Sequence, residues 1–148
     1  MLPRHQLDAI RFENLGDSIL APRTVISRIP FEVRAWQTED RPSPSDVPLD
    51  AFRPVSLGWR WGPAWSTTWF HLTANLPETF VGRSMAVEFS SGTEATLWRA
   101  GCPYHGLDAN RDLVRLPGVI ESPGDHEFLI EAACTLPLGA STFWWDHP

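Results

Sequence analysis

The sequence predicts an all-β fold, an antiparallel β-sandwich or jelly roll, and three observations carry that prediction. Apolar and polar residues alternate in short runs, the pattern of half-buried strands. Turn-forming residues separate the runs every ten residues or so, drawn from 14 Pro and 10 Gly in 148 residues. The hydrophobic fraction is 43%, with eight Trp and eight Phe, which supplies one core and sets disorder aside.

Taken in order, residues 4–16 predict one short N-terminal helix. Leu7 and Ile10 are three apart, as are Phe12 and Leu15, and Gly16 is a stop signal. Residues 24–37 read as extended, with Phe31, Val33 and Ala35 alternating after Pro30. From Thr38 to Pro54, four prolines (Pro42, Pro44, Pro48, Pro54) stand among Asp and Ser. Proline lacks the backbone donor that a ladder needs. A long irregular connection follows, packed on the domain through Leu49 and Phe52, and it is the best internal boundary. Residues 1–57 are then the helix, extended segments and Pro-rich connection, and residues 58–148 are the sandwich.

Within the second part, residues 65–74 predict a strand. Phe70, Leu72 and Ala74 share one face; Trp65, Thr67, Trp69 and His71 share the other. Met85, Val87 and Phe89 alternate with polar or small neighbours, which fits a strand with one wet face. Ser91-Gly92 turns the chain into a strand over 95–99, and Gly101-Cys102-Pro103 turns it back. Residues 113–116 are short and extended, Pro123-Gly124-Asp125 is a turn, and 126–133 is a strand with Phe128 and Ile130 on one side.

Twelve basic residues, all Arg, stand against 18 acidic ones, for a net charge of −6. No basic patch is present, so nucleic acid is excluded as a partner class. Cys102 and Cys134 are too far apart to be a disulfide framework and read as free, mostly buried thiols. The first six residues lack an apolar signal core, and no window is long and apolar enough to span a membrane. Together these features predict a cytoplasmic location.

A search for chemistry returns no complete site. The histidines are His5, His71, His105, His126 and His147, and none is followed two residues later by Asp. There is no Cys-x-x-Cys pair, no phosphate-cradling loop and no Gly-x-Ser-x-Gly elbow. Catalytic, metal and cofactor residues are therefore expected to be absent from this chain.

Three blocks resemble a known family. Trp61-Gly62-Pro63-Ala64-Trp65-Ser66-Thr67-Thr68-Trp69-Phe70 resembles the start of the accessory β-sandwich of family 38 glycoside hydrolases, in the branch of cytosolic and vacuolar α-mannosidases. The lipped hairpin from Glu94 to Leu107 follows, then Glu131-Ala132-Ala133-Cys134-Thr135 and Leu138-Gly139, in the family's order and at similar spacing. Thr135 departs from the pattern, since the family usually has Asn there. The resemblance implies a galactose-binding-domain-like jelly roll that lacks the active site. It implies a catalytic barrel elsewhere in the same polypeptide, with zinc held there by a His-x-Asp pair, a nucleophilic Asp and another His. It also implies a retaining cleavage of α-mannosides, which needs a nucleophilic carboxylate and an acid/base partner. Partners implied are that barrel, mannose-containing glycans and further copies of the enzyme in a homo-oligomer.

Five residues are candidates for contact with sugar: Trp65, Trp69, Arg99, Tyr104 and His105. Aromatic faces suit the C–H faces of pyranoses, and Tyr104 and His105 stand at the hairpin lip. The competing reading gives the tryptophans to core and domain-interface packing, because each buries so much area. It gives the lip to a solvated turn. Arg99 is also placed for a ladder ion pair with Glu94 or Glu131. Gly101 and Gly106 are expected at positive φ around Pro103, and Trp144-Trp145 are expected to be packed on this sandwich or on a following domain.

Overall fold

The computed structural model describes Gln6 and residues 25–135. The chain divides into two compact units, Met1–Pro30 and Phe31–Pro148. In the first, residues 25–30 have no regular secondary structure, so the extended segment expected from residue 24 becomes a strand only at Glu32. The helix expected over 4–16, apart from the helical Gln6, lies outside the described residues, as do Trp144 and Trp145.

In the described part of the second unit every strand pairing is antiparallel. Its strands are β1 (Glu32–Thr38), β2 (Arg53–Pro54), β3 (Thr67–Leu76), β4 (Ala86–Glu88), β5 (Ala95–Arg99), β6 (Cys102–Leu107), β7 (Leu113–Arg115) and β8 (Gly124–Ala133). One sheet has six strands in the order β2-β1-β3-β8-β5-β6, and the other pairs β4 with β7. The chain order differs from the spatial order, as a sandwich built from long connections requires. The division expected at residue 57 falls inside the large sheet, because β1 and β2 precede it and pair into the same sheet as β3.

Register explains why this sequence closes into two layers. Ala35, Phe70, Ile130 and Leu97 stand directly opposite one another across β1, β3, β8 and β5. One row along, Val33 faces Leu72, which faces Phe128; two residues the other way, Thr68, Ala132, Ala95 and Leu107 align. With a side-chain period of two, these rows all emerge on one face of the sheet. They meet Val87 of β4 and Val114 of β7, which pair with each other, and all but Val33, Phe128 and Thr68 belong to one buried cluster; Val33 and Phe128 pack against it half-buried. The small sheet is therefore a lid over the apolar rows of the large one.

The opposite face of the large sheet is also covered. Its rows are Trp36–Trp69–Glu131–Thr96 and Arg34–His71–Leu129–Trp98. The Pro-rich connection crosses this face. Phe52 is fully buried there, tilted against Trp36 at 6.5 Å and edge-on to His71 at 6.1 Å. Arg34 holds the connection in place by donating from Nη2 to the Phe52 carbonyl at 2.9 Å. Phe52 packs as expected, but Leu49 is exposed and Val47 takes the second buried position. Two single 3-10 turns, Pro44–Asp46 and Leu49–Ala51, direct Val47 and Phe52 inward and leave Leu49 outside.

The β5–β6 hairpin corrects two expectations. Arg99 pairs with Cys102, so the loop is Ala100-Gly101, and both residues take positive φ, 50° and 74°. That is the turn geometry whose twist matches the flanking strands. Gly101 is thus where left-handed backbone is needed. Gly106 lies within β6 opposite Thr96, and Pro103 lies in β6 opposite Trp98 instead of in the turn. The register shifts between Leu97 and Trp98, leaving Tyr104 as the extra residue of a bulge. A proline and a bulge on an edge strand both discourage pairing with another chain.

Candidate functional site

Two regions of the sandwich carry the exposed candidate residues. The first is the loop from Ser56 to Ser66, between β2 and β3. Trp59 and Trp61 stand edge-on to the Phe70 ring at 6.2 and 5.9 Å, anchoring the loop to the inner core. The Trp61 indole N–H donates to the Ser91 carbonyl at 3.3 Å. Gln37 clamps the Gly62 peptide from both sides, donating from Nε2 to its carbonyl and accepting its N–H at Oε1 at 3.4 Å. The Gly62-Pro63 bond is cis. The Ser66 hydroxyl donates to the Pro63 carbonyl at 2.7 Å.

Trp65 then enters β3 with φ of 72°, a left-handed conformation that a bulky residue rarely takes. Its N–H donates to the Cys134 carbonyl at 2.5 Å, and the Cys134 N–H donates to the Ser66 carbonyl at 2.8 Å. These two bonds extend the β3–β8 ladder and hold the turn. The result aims the Trp65 indole outward, 64% exposed. Trp59 is 39% exposed and Leu57 fully so.

The second region is the outer edge at the β5–β6 hairpin. Arg99 lies over the Tyr104 ring, 5.8 Å from its centroid, in place of the expected ion pair with Glu94 or Glu131. Glu131 accepts the Trp98 indole N–H at 3.1 Å. The Tyr104 hydroxyl reaches across to the small sheet and donates to the Arg115 carbonyl at 3.3 Å, and His105 lies beside it with ring centroids 6.5 Å apart. Tyr104 is 38% exposed. Arg99, Tyr104 and His105 therefore form one cluster.

The other two candidates do not join it. Trp69 is 0% exposed, packed at 5.9 Å against Trp98 and beneath Phe52, so it offers no face to a sugar. The sequence places Trp69 on the Trp65 face of the strand, but the Pro-rich connection covers that face. Trp65 is distant as well. It pairs at Cys134, whereas Trp98 pairs at Leu129, five residues along the same strand line. Five residues span about 17 Å at about 3.4 Å each.

Sequence reasoning does not find the groove beside the hairpin, a depression of about 660 Å³ lined by Trp98, Arg99, His71, Glu127 and Val119 among others. His71 sits there as a structural residue, 3.3 Å from Glu127 through Nε2. The signal that was available is the alternation itself, which puts His71, Leu129 and Trp98 in one row.

Asp108 is held below its ordinary pKa, first by the side-chain hydrogen bonds that Arg111 donates at 3.0 and 2.8 Å, then by the Asn110 N–H at 2.8 Å. These bonds close a two-residue turn, an ordinary use of Asp. Among the described residues no three of His, Cys, Asp and Glu are grouped to hold a metal ion. Cys102 and Cys134 are both free; Cys102 is exposed on the hairpin, where burial was expected, and Cys134 is half-buried. The Thr135 hydroxyl, at the position where the resemblance implies Asn, is buried without a hydrogen-bond partner. No helix among the described residues is long and apolar enough to cross a membrane.

Comparison with known proteins matches this architecture. Residues 29–147 fit the family model described as the jelly roll domain of alpha-mannosidase. Similar relatives are alpha-mannosidase 2C1 of Homo sapiens, 39% identical over 93 residues, and its counterpart in Mus musculus, 32% identical over 95 residues. Alpha-mannosidase G of Dictyostelium discoideum is 28% identical over 93 residues. Each match covers 60% of this chain but 9% of the relative, so the matched region is about a tenth of those proteins. With a two-sheet antiparallel body and a family match across most of its length, the chain belongs to the alpha-mannosidase jelly roll domain family.

Proposed function

We propose that this chain is the non-catalytic accessory domain of an α-mannosidase, packing beside a catalytic barrel in the same polypeptide and shaping the edge of its cleft. The observation that carries the reading is the match of residues 29–147 to the α-mannosidase jelly roll, on a chain whose match spans 9% of its relatives. The parent enzyme cleaves terminal α-mannosides, and its zinc or other divalent ion belongs to the barrel. Its location is cytoplasmic, in keeping with two free thiols, one of them exposed. The accessory body is one sheet pair that includes β1 and β2, so residues 31–57 act with the sandwich rather than beside it.

The reading has a direct test. The 148-residue chain should not hydrolyse an aryl α-mannoside, with or without added zinc or cobalt. The polypeptide that continues through the downstream reading frame should do so. Turnover that co-purifies with the short chain and disappears on mutation of its own Asp or Glu residues overturns the reading.

A second reading keeps one specific observation in its favour, the exposed indole of Trp65. In it the domain grips mannose-containing glycans, though Trp69 no longer contributes. Isothermal titration with mannose and mannobiose separates the two. Millimolar or tighter binding that Trp65→Ala abolishes without unfolding favours the module; no heat favours the scaffold.

A further inference from the structure

We propose that the loop tip bearing Leu57, Trp59 and Trp65 is the surface by which this sandwich docks on the polypeptide that follows it in the same chain, an inference that rests on the accessory-domain reading above. Three large apolar side chains stand exposed on one loop, and Trp65 is the most exposed tryptophan among the described residues. The loop is built to present them. Its backbone is fixed by the Gln37 clamp, by the Trp61 and Ser66 side-chain bonds and by the two bonds to Cys134. A left-handed φ at a tryptophan is costly, and here it turns the indole away from the domain's own core.

The identity of the occupant follows from where the chain goes. Cys134 is the residue that pairs with Trp65, and the chain continues from it. Thr135, the next residue, is therefore beside this loop, and the relatives are about ten times longer than the segment they share with this chain. A sugar is the poorer fit. Sugar sites set hydrogen-bonding groups beside an aromatic face. Here the Gln37 amide, the Trp61 N–H and the Ser66 hydroxyl are already engaged within the loop. Arg60 is the one charged residue between Ser56 and Ser66. Aromatic side chains exposed on one loop, with Arg60 as its single charge and these polar groups engaged, match an intramolecular domain interface.

The test is hydroxyl-radical footprinting of the full polypeptide, read by mass spectrometry. Exposure in the sandwich alone puts Trp65 (64%) ahead of Tyr104 (38%), with Trp69 (0%) unlabelled. Docking reverses the first two: Trp65 and Trp59 lose labelling while Tyr104 keeps it. Trp65→Asp should restore labelling at Trp59 and leave Trp69 protected, showing that the sandwich is still folded. Labelling of Trp65 at least as fast as Tyr104, with Trp69 protected, overturns the proposal. So does protection that vanishes on dilution to monomer, which assigns the patch to a second copy, or protection that appears only with added mannose. An α-mannosidase assay on the same preparation keeps the two claims separate. Activity with an unprotected tip removes the docking surface alone, and protection without activity removes the mannosidase reading alone.

Discussion

At the scale of single residues, the face that the Pro-rich connection covers decides what each aromatic does. Trp69 and Phe52 are both fully buried, and each is the other's neighbour in the outer cluster. Phe52→Ala opens a cavity over Trp69 that the fixed sheet cannot collapse. The expected cost is about 3–5 kcal/mol by urea unfolding. Leu49→Ala, three residues away on the exposed side of the same connection, should cost under about 0.5 kcal/mol. Equal losses would mean that Phe52 does not hold the cover. Asp108 makes a different kind of prediction. Its folded pKa is depressed, so its bonds to Arg111 and Asn110 contribute above the unfolded pKa and are lost as pH falls through the folded value. Carboxyl titration by NMR should place its midpoint below that of the same residue in urea, and Arg111→Ala should move the folded midpoint upward. An unmoved midpoint removes the pairing. From sequence alone Asp108, Arg111 and Asp112 read as a solvated loop, because a short turn closed by its own side chains leaves no periodicity to read.

At the scale of elements, alternation locates the strands well. The strand over 95–99 is observed at those residues, and those expected at 85–89, 113–116 and 126–133 are observed within a few residues of their ends. What alternation cannot supply is the covering of the second face. β3 is central, between β1 and β8, and its outer side chains Trp69 and Thr67 are buried; alternation shows that they share a face but not that the face is covered. The Pro-rich run is legible as a packed connection through Phe52, but which second side chain anchors it, Val47 rather than Leu49, is not. The glycines of the lip show the same limit. Both fit a tight tip in sequence, but only Gly101, at φ of 74°, occupies left-handed backbone. Gly101→Val should destabilise the hairpin by about 1–3 kcal/mol. Gly106→Val should be close to neutral, because a Cβ there meets no atom within 4 Å and valine favours strands. Thermal melts of the two variants distinguish them. A loss at Gly106 matching that at Gly101 would mean that left-handed backbone is not what the turn requires of its glycine.

At the scale of the whole molecule, the sandwich is closed by contacts that run across the Pro-rich connection. A break at residue 57 is what composition offers, since prolines cluster just before it. Strand pairing overrides composition. β1 pairs with β3 along seven residue positions, Glu32–Thr38 against Thr67–Thr73, and Ala35 sits in the main core row beside Phe70. Without β1 and its connection, β3 becomes an edge strand and Trp69 loses Phe52 and Trp36 together. An edge strand with an aromatic face and unpaired backbone is an aggregation template. A chain beginning at residue 58 should therefore fail to form a cooperative fold, showing no sharp thermal transition and eluting as aggregate on size exclusion. A chain beginning at residue 31 retains every described strand and should melt in a single transition. A monomeric, cooperatively melting 58–148 would show that the sheet is complete without its first two strands, and that neither Phe52 nor Trp36 is needed to keep the outer face of β3 from water.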